Sequence, residues 1–203
     1  MPEVMEERSR RIIETAIELA EKGGFEAVRL RDVAADAEVA LGTLYRRFRS
    51  KEELLVAALG FEVKNLEQRF SVQPPGSSTE LERVMGFFDW VVRGLLRRQN
   101  LARALFKAVS SGDPELAQKI AEYHSHIEQM LVMALRGEVV RNGTGSLIDP
   151  MPDSREGQIA ETLNQIWYGL LLGWAGGVHG QSSLLEKMRL SAQLVLRGSA
   201  LAR

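Results

Sequence analysis

Apolar residues recur along most of this chain at every third or fourth position, with polar residues on the opposite side, which is the period of an amphipathic helix. Over residues 6–22, Ile13, Ala16, Ile17 and Ala20 form one stripe with Ile12 and Leu19 at its margins, and Gly23-Gly24 ends it. A short helix is predicted over residues 30–37, with Leu30, Val33, Ala34 and Ala37 inward. Another is predicted over residues 41–48, and only residues 38–40 separate the two. Ser50 and Glu53 make a capping box that opens a long helix to about residue 69. The run Gln73-Pro74-Pro75-Gly76-Ser77-Ser78 breaks it, Thr79 with Glu82 caps the next helix, and Asp113-Pro114 opens one that runs to Arg136. Residues 137–154 read as a loop, and two helices, over 155–178 and 183–197, follow it. The pattern predicts an all-α protein of about nine helices.

Length and composition narrow the class. At roughly 100 to 200 residues per domain, 203 residues allow one or two domains with a core of ordinary size. Without cysteine the chain has no disulfide framework, no thiolate nucleophile and no Cys-ligated zinc. A formal charge of −1 gives no global attraction to a polyanion, so nucleic acid must be met by a local patch. The N-terminal residues are polar and unlike a signal peptide. The longest apolar stretch, residues 166–178, is interrupted by four glycines and is shorter than the ~20 residues a membrane span requires. A cytoplasmic protein without membrane contact is expected.

Residues 162–185 contain no Asp, Glu, Lys or Arg, a run of 24 positions. A helix apolar nearly all round is covered on both sides. A partner subunit supplies that cover most simply; a central core helix in a monomer is the alternative. Gly169, Gly173 and Gly177 recur every four residues, and each costs about 1 kcal/mol relative to Ala unless close helix approach compensates. A homodimer interface is therefore expected on the last two helices, through Gly169, Gly173, Trp174, Gly177, Leu184, Met188 and Val195.

Two short helices joined by a tight turn behind a supporting helix outline a helix-turn-helix, whose second short helix reads bases in the major groove. At about 100° per residue, Leu41, Leu44 and Phe48 share the inward side of that helix. Gly42 and Arg46 then face outward, flanked by Thr43 and Arg47 on one side and Tyr45 on the other. Hydroxyls and guanidiniums suit phosphate oxygens and purine edges, and a glycine lets the backbone approach closely. Residues 41–51 hold Arg46, Arg47, Arg49 and Lys51 without an acid, whereas residues 1–60 as a whole carry 10 Lys+Arg and 12 Asp+Glu. A merely solvated basic face is the competing reading.

The stretch Arg31-Asp32-Val33-Ala34, then Val39, Gly42-Thr43-Leu44-Tyr45, Phe48 and Ser50-Lys51-Glu52-Glu53-Leu54, resembles the DNA-binding signature of TetR-family transcriptional regulators. The runs over residues 22–28 and 39–46 are similar to the actinobacterial repressors of cholesterol catabolism within that family. The resemblance implies a DNA-binding domain over residues 1–55, with its helix-turn-helix at about 29–48, and an effector-binding and dimerisation domain over residues 56–203. It implies that Thr43, Tyr45 and Arg46 contact DNA, Tyr45 and Lys51 chiefly at phosphates, and that Arg29 meets the backbone. Two positions depart from the family pattern. Glu38 stands where a turn glycine is usual, a substitution worth about 1 kcal/mol if the position is left-handed. Arg29 stands where a capping hydroxyl is usual.

The resemblance further implies a repressor that binds a pseudo-palindromic operator in double-stranded DNA as a homodimer and is released by a lipophilic effector, with a steroid and an acyl CoA thioester as the candidate classes. Phe87, Trp90, Phe106, Met130, Met133 and Trp167 are candidate walls of its pocket, with plain core packing the alternative for each. An efflux regulator sensing a drug-like cation is a rival reading. A helical lipid-binding protein or enzyme is another. No cofactor or metal is expected: His124 and His126 are two apart and face different directions, and the chain has neither a G-x-S-x-G elbow nor a P-loop.

Overall fold

The computed structural model describes residues 2–74, 76–137 and 153–201. Among the described residues there are nine helices and no strand. They are α1 (Pro2–Ala27), α2 (Leu30–Asp36), α3 (Leu41–Tyr45), α4 (Lys51–Val72), α5 (Glu80–Arg97), α6 (Gln99–Val109), α7 (Pro114–Arg136), α8 (Arg155–Ala175) and α9 (Ser182–Leu201). The loop expected over residues 137–154 lies, apart from its ends, outside the described residues.

Local chemistry sets most of these boundaries. α1 is broken where its two glycines stand: Gly24 has φ 68° and ψ −159°, a conformation that a side chain does not tolerate. Ser50 Oγ accepts from the Glu53 N–H at 3.0 Å, and Thr79 Oγ1 accepts from the Glu82 N–H at 3.2 Å. Asp113 Oδ1 accepts from the Glu115 N–H at 2.9 Å, ahead of Pro114 at the first helical position. The Glu53 carboxylate reaches back one residue further than a capping box requires, accepting from the Arg49 N–H at 2.9 Å. α3 ends at Tyr45, three residues before the expected end, because residues 46–48 close it as a turn; the Phe48 N–H still donates to the Leu44 carbonyl at 2.9 Å.

The chain packs as two compact units that are not continuous in sequence. The first comprises Met1–Glu62 with Leu95–Ala121, the second Val63–Gly94 with Glu122–Arg203. In the first unit, α6 lies along α1 and brings Leu101, Ala104, Leu105 and Ala108 into a core with Ile12, Ala16, Ala20, Val33, Leu44, Leu54 and Leu55. Ile12, expected at the margin of the α1 stripe, is fully buried, and Ile13 is only half-buried. In the second unit α8 packs on α9. An aromatic chain runs from Phe70 through Phe87 and Phe88 to Trp167, with ring centroids 5.9, 5.4 and 5.1 Å apart. One buried amide interrupts this apolar surrounding: Asn164 Nδ2 donates to Glu128 Oε1 at 2.9 Å and lies 3.0 Å from His124 Nδ1.

Candidate nucleic-acid interface

α2, its turn and α3 are held by hydrogen bonds that the backbone makes with itself. The Val39 N–H donates to the Ala34 carbonyl at 2.9 Å and the Glu38 N–H to the Ala35 carbonyl at 3.1 Å, the paired closure of a Schellman motif. That motif places Glu38 in the left-handed region at φ 54°, the position where the sequence departs from glycine. Arg29 caps α2 with extended backbone, φ −106° and ψ 127°, and its side chain makes no capping bond.

Leu44 and Phe48 anchor α3 in the core, with Leu41 half-buried at the edge, so the opposite face is presented outward. On it Arg46 is exposed, Tyr45 is 50% exposed, and Thr43 and Arg47 are half-buried. Gly42 is exposed, and a Cβ there would meet no atom within 4 Å, which leaves open space for an approaching backbone. Arg46 Nη2 donates to Thr43 Oγ1 at 3.1 Å. Thus Gly42, Thr43, Tyr45 and Arg46 share one accessible surface.

The remaining basic residues of this run are not uncontested in space, as they are in sequence. Arg49 pairs with Glu53 at 3.6 Å and with Glu115 at the start of α7, and the Glu115 hydrogen bond is the main cause that raises the Arg49 pKa. Lys51 is 3.3 Å from Glu26 and lies over the Phe25 ring, 3.9 Å from its centroid. Glu26, Phe25 and Glu115 escaped the sequence reading because their partners lie 25 or more positions away. The only local hint was Phe25-Glu26 directly after the glycine pair.

Burial inside the unit tends to raise the Glu53 pKa, but the Arg49 N–H and the Lys119 ammonium, 3.2 Å away, outweigh it and hold the carboxyl below its ordinary range. Glu53 thereby ties the first turn of α4 to α7.

The other predicted residues are distributed unevenly. Phe87, Met130, Met133 and Trp167 are buried in the second unit and Trp90 is half-buried there, whereas Phe106 is buried and belongs to the first unit. Among the expected interface residues, Trp174, Leu184 and Met188 are at most 1% exposed within the chain itself. Gly169 is exposed with open space beside it. Gly173 lies under the His179 ring, and Gly177 ends α8 at φ 78° rather than lying within it. Val195 is half-buried. The large apolar side chains that α9 exposes are instead Leu190, Leu194 and Leu201, with Val178 in the turn before it. His124 lies beside Asn164 and Tyr168 while His126 pairs with Glu67, so the two histidines serve different contacts. Among the described residues no helix is long and apolar enough to cross a membrane.

Residues 12–58 match the model of the tetR family of bacterial regulatory proteins, and residues 76–195 match that of the tetracyclin repressor-like C-terminal domain. The chain is 30% identical over 190 residues to the HTH-type transcriptional repressor KstR of Rhodococcus jostii, covering 94% of this chain and 83% of that one. A TetR transcriptional regulator from Rhodococcus sp. RHA1 has a similar structure, with a TM-score of 0.75 at 24% identity, over 93% of this chain and 95% of that one. Thermus thermophilus FadR, a repressor solved in complex with lauroyl-CoA, superposes with a TM-score of 0.63 at 22% identity over 94% of each chain. With an exposed basic face on the second helix of a helix-turn-helix and family matches over both parts of its length, this chain belongs to the tetR family and is a DNA-binding transcriptional repressor.

Proposed function

We propose that the chain acts as a homodimer whose two α3 helices enter successive major grooves of a pseudo-palindromic operator, and that a lipophilic small molecule releases it. The observation that carries the DNA reading is the exposed Thr43–Arg46 pair above the buried Leu44 and Phe48. Arg46 is assigned to a base edge with Thr43 beside it. Tyr45, Arg47, Arg29 and Lys51 are assigned to the backbone, and Gly42 to close approach. Residues 1–55 serve as the DNA-binding domain and residues 56–203 as the effector and dimerisation domain. The apolar face of Leu190 and Leu194, with Gly169 and Val195, supports self-association through α8 and α9.

The effector class is supported by two likenesses: relatedness to KstR, and the shared fold of a repressor solved with lauroyl-CoA. A steroid or an acyl CoA thioester fits them, and the aromatic chain ending at Trp167 suits an apolar ligand. Release follows if the effector favours a subunit arrangement whose reading helices no longer match the groove spacing. Reciprocity then requires effector affinity to fall when operator is bound. Effector binding of equal strength with and without operator rejects the mechanism. Native mass spectrometry of the purified protein tests the ligand class directly.

A drug-like cation is the second reading, favoured by one observation: Glu128 bonds to Asn164, one helical turn from Trp167. A carried-over amine rather than an acyl or steroid species selects it.

A further inference from the structure

One lysine of the candidate interface is tied to α6 through a shared carboxylate. Glu26 lies just past the Gly23–Gly24 break, and its two oxygens face different ammonium groups. Oε1 is 2.8 Å from Lys107 Nζ on α6, and Oε2 is 3.3 Å from Lys51 Nζ at the start of α4. The Phe25 ring serves both cations, with Lys51 Nζ 3.9 Å and Lys107 Nζ 4.4 Å from its centroid. Lys51 Nζ is also 3.5 Å from the Phe25 carbonyl oxygen. Its side chain is 26% exposed, so the stem is held while the charge stays within reach of solvent.

A single negative charge cannot neutralise two ammonium groups, and the closer pair takes the larger share of it. Here the closer pair is Glu26–Lys107. Without Lys107, the same carboxylate faces Lys51 alone and competes with any phosphate for it. Lys107 lies in the segment matched by the C-terminal family model, yet it packs in the same unit as the helix-turn-helix.

We propose that Lys107 is a positioning residue for DNA binding: it engages the Glu26 carboxylate that otherwise competes for Lys51, and Lys51, seated against Phe25, directs its charge to a DNA phosphate. The proposal rests on the reading of Lys51 as a phosphate contact. It makes α6 a participant in DNA affinity without touching DNA.

The test is the salt dependence of binding to a duplex selected by the wild-type protein from a random-sequence pool. Lys51→Met is expected to lower the slope of log affinity against log salt by about one. Lys107→Met is expected to weaken binding about threefold with a similar fall in slope. The Lys107→Arg variant should bind as wild type, and Glu26→Gln should restore the Lys107→Met variant. The deciding arm is the double variant: in the Lys51→Met background, Lys107→Met should have no further effect. An equal loss in that background means that Lys107 acts through the general field and overturns the proposal, as does a Lys107→Met variant indistinguishable from wild type. If Lys51→Met itself leaves affinity and slope unchanged, the phosphate reading fails and takes the proposal with it. A Lys51→Met effect without a Lys107→Met effect removes the proposal alone.

Discussion

Arg46 donates from Nη2 to the hydroxyl of Thr43 across one turn of α3, at 3.1 Å, on a face that Leu44 and Phe48 hold outward. The bond pre-orients a guanidinium that otherwise samples many rotamers, which lowers the entropic cost of a directed contact. Arg46→Ala is expected to cost about 1–3 kcal/mol of operator binding and to relax sequence preference at one position. Thr43→Val should give a smaller loss in the same direction. Titration against a panel of single-base operator variants checks both. A loss uniform across the panel reassigns Arg46 to a phosphate.

Glu38 sits at the left-handed position of the α2 Schellman motif, φ 54°, the only non-glycine residue with positive φ among the described residues. A side chain there is strained by about 1 kcal/mol, part of which glycine returns as unfolded-state entropy. Glu38→Gly is expected to stabilise the protein by up to about 1 kcal/mol, read as a melting temperature about 2–4 °C higher. Glu38→Val, β-branched at the same φ, should lower it.

Glu53 links acid stability to the DNA-reading helices. Its carboxyl is buried and held below the ordinary range by the Arg49 N–H and Lys119. A carboxyl more acidic in the folded than in the unfolded state lends stability that is complete above the unfolded value and lost as pH falls through the folded one. Denaturation curves should therefore show stability falling in the acid range below the ordinary glutamate value. Glu53→Gln should remove part of that dependence and cost about 1–2 kcal/mol at neutral pH.

Leu190 and Leu194, 58% and 61% exposed and one turn apart on α9, form the apolar face assigned to self-association. The Leu190→Asp/Leu194→Asp double variant is expected to sediment as a folded monomer where the wild type sediments as a dimer. Gly173→Ala is a contrasting case. A Cβ there would meet His179 Nε2 at 2.6 Å, so the substitution should displace the His179 ring within the chain itself, read as a changed His179 environment by NMR. At Gly169 a Cβ meets no described atom within 4 Å, so Gly169→Ala should stabilise the chain by up to about 1 kcal/mol through helix propensity, and a loss should register only in the dimer.

How much of this was legible in the sequence depended on how far the deciding interactions reach. The caps at Ser50, Thr79 and Asp113, the break at Gly23–Gly24 and the departure at Glu38 are set by bonds between residues at most five positions apart. Amphipathic period placed Leu44 and Phe48 inward and Arg46 outward for the same reason, because helical phase is local. The family signature is likewise a local pattern. What covers a helix face is not. Period alone could not tell that Trp174, Leu184 and Met188 are buried within the chain while Leu190 and Leu194 stay exposed, nor that Phe106 lies in a different unit from Phe87 and Trp167. Charge followed the same rule. A basic run read as unopposed along the chain meets Glu26 and Glu115 in space, because Coulomb interactions depend on distance between atoms and not on separation in sequence. The sequence by itself determined the helices, their caps and the family; the tertiary structure decided which faces remained open and which charges were already engaged.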